Sequence, residues 1–71
     1  MHSALVQLGK RVRALRQQSG ISQEKLAELA DIHRNYMSQI EGGKRNISFF
    51  NMVKLARALK VSPSKLVETI K

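Results

Sequence analysis

Cysteine is absent from the 71 residues, which excludes a disulfide framework and suits a reducing, cytoplasmic setting. Tryptophan is absent too, and phenylalanine and tyrosine together number three, so the interior must be largely aliphatic. No apolar run approaches the roughly 20 residues of a membrane span. The first twenty residues scatter Lys10, Arg11, Arg13 and Arg16 through the segment, not a charged head before an apolar stretch, so no secretory leader is expected. Length is scarce as well. A chain this short has room for one core, spanning 1–71, and for no second sensory or catalytic domain. Its net stability should be only about 4–11 kcal/mol. Acidic residues are the last shortage: five Asp and Glu face thirteen Lys and Arg, for a net charge of +8. A charge that large repels itself, and on a small domain its commonest use is attraction to a polyanion. The class is a nucleic-acid binder.

What remains is helical. Apolar Leu5, Leu8, Val12 and Leu15 recur in steps of three and four, predicting a helix over 4–18 that stops at Gly20. Ser22 caps a second helix over 23–30, with Leu26, Ala27, Leu29 and Ala30 as its apolar positions. A third runs from Arg34 to Glu41, with Met37 and Ile40 inward, and ends at Gly42-Gly43. Ser48 caps a fourth over 49–60, whose inward face is Phe49, Met52, Val53, Ala56 and Leu59. Ser62-Pro63, a cap followed by proline at the first helical position, opens a fifth through Ile70. No stretch alternates with period two. The fold class is all-α, a five-helix domain.

Residues 22–46, SQEKLAELADIHRNYMSQIEGGKRN, carry the function. Two short helices separated by a break of about three residues must cross at a large angle, which projects the second from the surface toward a major groove. At about 100° per residue, Met37, Ile40 and Glu41 fall on one side of helix three. Asn35, Ser38, Gln39 and Gly42 fall on the other, with Arg34 at the edge and His33 opening the helix. Arginine suits guanine O6/N7, asparagine and glutamine suit adenine N6/N7, and serine suits either. His33, Arg34, Asn35, Ser38 and Gln39 are therefore the base-contacting candidates. Tyr36 and the loop Lys44, Arg45 and Asn46 are candidates for phosphates, which position without specifying. Ser22 and Gln23 offer a second phosphate seat at the unpaired N–H groups opening helix two.

These blocks resemble the XRE, or lambda-repressor-like, helix-turn-helix family. The similarity rests on Ile21-Ser22-Gln23-Glu24-Lys25-Leu26-Ala27, Ile32, Tyr36-Met37-Ser38-Gln39-Ile40-Glu41, Gly43 and Ala58-Leu59-Lys60-Val61-Ser62, and covers about residues 8–70. Within the family, His33-Arg34-Asn35-Tyr36 and Lys44-Arg45-Asn46 are similar to the stand-alone controllers of restriction–modification systems. The resemblance implies a five-helix DNA-binding domain with helix three as reader, and an arginine–glutamate pair at Arg16 and Glu41. Two positions depart from the pattern. Asp31 stands where glycine is usual at a left-handed turn, and aspartate tolerates positive φ better than most residues. Gly42 stands where a basic or polar residue is common.

Other chemistries lack their constellations. Ser22-x-x-Lys25 and Ser62-x-x-Lys65 match the S-x-x-K of serine acyl enzymes, but each serine opens a helix and partner motifs are missing. His2 and His33 lie far apart without a carboxylate cluster, so no metal is expected. Gly42-Gly43-Lys44 lacks the phosphate-loop spacing. The basic face of helix one lacks the aromatic anchors of a membrane helix.

The expected activity is sequence-specific binding of double-stranded DNA by a homodimer, with no cofactor, metal, small-molecule ligand or membrane, and no enzymatic step. Control follows most simply from the protein's own concentration. The resemblance implies an autoregulatory repressor or activator, the latter with RNA polymerase as a further partner. A core this small rarely supplies more than about 3–5 kcal/mol alone, so association is a natural supplement. Val61, Leu66, Val67 and Ile70 are the candidate interface, with Phe50 beside Lys54 and Arg57, off the core stripe of helix four. The alternative is the antitoxin of a toxin–antitoxin pair, which requires an added tail or an exposed apolar surface.

Overall fold

The computed structural model describes residues 2–70, with side chains from residue 4 onward, so the His2 side chain lies outside the described ones. Five helices follow one another: α1 His2–Gln18, α2 Gln23–Ala30, α3 Arg34–Glu41, α4 Phe49–Leu59 and α5 Pro63–Val67. No strand occurs among the described residues, and no helix there is long and apolar enough to cross a membrane.

Side chains close the starts of α2, α3 and α4. Ser22 Oγ accepts from the Lys25 amide at 3.0 Å and Ser48 Oγ from the Asn51 amide at 3.1 Å, each satisfying a donor with no partner inside its helix. At α3 the capping acceptor is His33 Nδ1, 3.3 Å from the Asn35 amide. Ser62 precedes Pro63 as expected but makes no side-chain cap; its hydroxyl meets that of Ser64 at 2.9 Å.

The ends of α1 to α4 share one device. Each passes through a residue of positive φ: Gly20, Asp31, Gly43 and Lys60. The next amide then reaches back to the helix, Ile21 to Arg16, Ile32 to Ala27, Lys44 to Gln39 and Val61 to Ala56, at 2.9–3.4 Å. That is the Schellman closure, with Ile21, Ile32 and Val61 turned onto the core as its apolar member. Asp31 takes its left-handed turn at φ 55°, as its position predicted. Lys60 does the same at φ 60°, so α4 ends one residue short of the expected 60.

Leu8, Val12, Leu26, Ala27, Ala30, Ile32, Met37, Ile40, Leu55, Ala56, Leu59 and Leu66 form one core. A large aliphatic side chain buried there contributes about 1.5–3 kcal/mol, so Met37→Ala should cost about 2–5 kcal/mol. α1 packs on α3 and α5, α2 on α3 and α4, and α4 on α5. The α1–α3 crossing is close because Gly9 has no side chain. A Cβ there would lie 2.5 Å from the Ile40 carbonyl oxygen and 2.6 Å from that of Glu41. Gly9 thus sits inside α1 as a packing residue.

Three expectations of the packing are corrected. Phe49 is 70% exposed, not inward; α4 is rotated so that Leu55 is buried. Val53, also expected inward, is half-buried beside the exposed Phe49 and Phe50 instead of packing on the core. And α5 stops at Val67, because Arg11 of α1 donates to the Lys65 carbonyl at 2.9 Å and to Glu68 at 3.2 Å, and the Ile70 amide turns back on the Val67 carbonyl at 3.0 Å.

Candidate nucleic-acid interface

α2 and α3 are joined by three residues, Asp31–His33, and α3 divides cleanly between core and solvent. Met37 and Ile40 are buried, whereas His33, Arg34, Asn35, Ser38 and Gln39 are all exposed. All five base-contacting candidates therefore occupy one helix or its cap, open to a ligand. Arg34 is loosely drawn to Glu24 of α2 at 3.8 Å, with both side chains well exposed. An exposed pair at that distance is worth little, so the guanidinium is easily redirected.

Behind this face lies the anchor that holds α3 to the rest. Arg16 of α1 grips Glu41 with both arms of its fork, Nε to Oε2 at 2.7 Å and Nη2 to Oε1 at 3.1 Å. Its Nη1 donates to the Ile21 carbonyl at 3.0 Å, and Gln23 Nε2 donates to Glu41 Oε1 at 3.2 Å. The Glu41 side chain is only 4% exposed. One cluster thus ties α1, the α1–α2 turn, α2 and the end of α3 together. The Gln23 side-chain amide is directed at Glu41, so a phosphate at the start of α2 would be met by the backbone N–H groups there and not by this side chain. Ser22 lies exposed at the start of α2, its hydroxyl oxygen occupied by the cap.

The loop after α3 is a folded clamp. Gly43, at φ 71°, turns the chain back, and a Cβ there would come within 2.9 Å of the Val6 backbone. Tyr36 donates its phenolic proton to the Asn46 carbonyl at 3.1 Å, and Asn46 Oδ1 accepts from the Ile47 amide at 2.9 Å. Tyr36, expected at a phosphate, has its donor committed to the loop and its ring partly packed on the core. Arg45 lies over that ring, 5.2 Å from its centre, and donates to Gln39 Oε1 at 2.8 Å. Sequence reading placed Gln39 and Arg45 in separate roles; their contact was missed. Lys44 and Arg45 remain exposed beside the α3 face. Arg11 and Arg16 both engage carboxylates, leaving Lys10 and Arg13 as the exposed cations of α1.

A two-helix unit with an exposed polar second helix and a basic loop is the geometry of a major-groove reader. The helix-turn-helix family HTH_3 matches residues 12–66, most of the chain. The chain belongs to that family. As a helix-turn-helix domain it is 48% identical over 61 residues to "Control protein C.BamHI" of Bacillus amyloliquefaciens, across 84% of this chain and 75% of that protein. The crystal structure of the restriction-modification controller protein C.AhdI from Aeromonas hydrophila superposes with a TM-score of 0.86 at 47% identity, covering 87% of this chain and 94% of that one. The P22 c2 repressor, solved with a synthetic operator, gives 0.79 at 30% identity, covering 86% and 92%. This helix-turn-helix chain is a DNA-binding transcription regulator and not an enzyme.

Proposed function

We propose that the protein is a homodimeric controller of its own promoter region, reading a pseudo-palindromic operator with α3 in the major groove. The observation that carries this is the division of α3: Met37 and Ile40 are buried while Arg34, Asn35, Ser38 and Gln39 stand exposed between a basic loop and the start of α2. In this reading Arg34 prefers guanine, Asn35 and Ser38 contact neighbouring edges, and Lys44 and Arg45 lie near phosphates. Likeness to proteins named as restriction–modification controllers supports autoregulation linked to such a system. Where the complex activates, RNA polymerase is the further partner.

We place the dimer surface on α4 in preference to the stripe of Val61, Leu66, Val67 and Ile70. Leu66 is fully buried in its own protomer, and Val61 and Ile70 pack on the same core, so of that stripe Val67 is the member left exposed, at 37%. The larger free apolar surface is on α4. Phe50 is 77% exposed and stacks edge-on to Phe49 with centroids 6.1 Å apart, beside Val53, Lys54 and Arg57. Two exposed rings on so small a domain favour a protein partner, and we assign the second copy to them. The same rings are the apolar surface an antitoxin needs, and an antitoxin that also binds its own promoter would give the same operator; binding-site selection tests the DNA reading and the dimer. Selection from a random duplex pool should return two half-sites about 34 Å apart on centres, related by two-fold symmetry. An isolated half-site would refute the dimer, and no enriched sequence would refute DNA reading.

A further inference from the structure

Glutamine on a reading helix ordinarily pairs with adenine, Oε1 accepting from N6 and Nε2 donating to N7. The surroundings of Gln39 oppose that pairing. Arg45 Nη1 donates to Gln39 Oε1 at 2.8 Å. Because a guanidinium has donors and no acceptor, this bond fixes which end of the amide faces the loop: Oε1 is turned to Arg45, and Nε2 points away from it. The arginine is itself located. Its guanidinium lies over the Tyr36 ring at 5.2 Å, and Tyr36 is three residues before Gln39, its neighbour on the helix surface. The Tyr36 hydroxyl donates to the Asn46 carbonyl at 3.1 Å, holding the loop that delivers Arg45. Gly43 makes the return possible through its positive φ and the 2.9 Å bond from the Lys44 amide to the Gln39 carbonyl.

We infer that Arg45 determines the base preference of Gln39, converting it from a reader of adenine into a reader of guanine. The inference rests on the DNA reading proposed above. An adenine N6 group approaching the remaining lone pair of Oε1 would set its N–H donors against those of the guanidinium, beside a full positive charge. Guanine offers the opposite pattern, two adjacent acceptors at O6 and N7. Gln39 Nε2 serves one of them. With one of its five N–H groups on Gln39, Arg45 has up to four others for the second acceptor or a flanking phosphate. Arg45 is thus a positioning residue for Gln39, and more than a phosphate anchor.

The test is binding-site selection from a random duplex pool with the full chain, run in parallel on wild type, Gln39→Ala, Arg45→Met and Arg45→Lys. Arg45 and Gln39 are exposed, so the variants should fold, and their melting curves are recorded beside the selections. Gln39→Ala marks the base pair that Gln39 contacts, by loss of preference at one position. At that position the wild type should favour guanine over adenine by about ten-fold, within the range for a good bidentate contact. Arg45→Met, which keeps the stem and removes every donor, should abolish that preference or move it to adenine while leaving other positions unchanged. Arg45→Lys keeps the charge without the planar fork and should fall between. The inference is overturned if Arg45→Met weakens all sequences alike with an unchanged base pattern, as a phosphate contact would. It is equally overturned if Gln39→Ala changes no position, or if the wild type prefers adenine there. A wild type that enriches no sequence refutes the DNA reading itself, a different failure.

Discussion

Removing Arg16 should take away a large share of the protein's stability. The Glu41 carboxylate, with a side chain only 4% exposed, receives two N–H groups from Arg16 and one from Gln23. Arg16→Met fills similar space but leaves that carboxylate with Gln23 as its remaining donor in this cluster. Breaking a buried pair from one side typically costs 3–5 kcal/mol, and the total available is about 4–11 kcal/mol. Glu41→Gln should cost less, near the lower end or below. The glutamine oxygen still accepts one arm of Arg16, which is 13% exposed and keeps the Ile21 carbonyl at 3.0 Å. A loss of 3 kcal/mol in a domain of this size lowers Tm by about 12–24 °C. The double variant Arg16→Met with Glu41→Leu should recover part of the loss, since neither charge is then stranded. Thermal melts followed by circular dichroism measure all three. If Arg16→Met melts with the wild type, or the double variant is no more stable than Arg16→Met alone, the pair does not hold α3 in place.

Gly9→Ala should destabilise by about 1–3 kcal/mol in urea despite the better helix propensity of alanine, because the added Cβ collides with the Ile40 and Glu41 carbonyls. Gly42→Ala, whose Cβ would come no nearer than 3.3 Å to the Ser38 carbonyl oxygen at an ordinary helical φ, should cost less than Gly9→Ala; equal losses at both glycines would refute the close crossing. Lys60→Gly should raise stability by about 1 kcal/mol by relieving the left-handed turn at φ 60°, and an unchanged urea midpoint would contradict strain there. Phe50→Ser should shift sedimentation from dimer toward monomer at tens of micromolar, while Leu66→Ser should unfold the chain instead; a dimer that survives Phe50→Ser moves the interface off α4. The dimer's log–log salt slope on DNA should lie at about −5 to −7 for three or four phosphates per subunit, falling in magnitude by about one for each Lys44 removed.

The helix boundaries were legible where the chain writes them in side chains with few alternatives. Ser22 and Ser48 cap as expected, and Gly20 and Gly43 end α1 and α3, because serine before a helix and glycine after it each satisfy a specific set of backbone groups. Lys60 ends α4 by the same geometry without the glycine, so that boundary was misplaced. The face of α4 was misread because Phe49, Phe50, Met52, Val53, Leu55, Ala56 and Leu59 leave it apolar nearly all round. Two overlapping stripes then fit the helical period, and neighbouring helices decide between them. α5 was overextended for a similar reason: the Arg11 side chain that bonds the Lys65 carbonyl comes from 54 positions away. At the site, the exposed face of α3 could be read directly from rotation about the helix axis. The Tyr36–Arg45–Gln39 contact could not, because it depends on the path of a loop that only the Gly43 turn and the Tyr36–Asn46 bond define.

The central claim, that α3 reads base sequence in duplex DNA, is tested most directly by one titration. Wild type and Arg34→Ala are titrated by fluorescence anisotropy against a selected operator and a scrambled duplex of equal length and salt. The wild type should favour the operator by about a thousand-fold or more. Arg34→Ala should lose about 1–3 kcal/mol per half-site on the operator and almost nothing on the scrambled duplex. Equal losses on both DNAs would make Arg34 a phosphate contact and contradict the assignment of α3 as the reader.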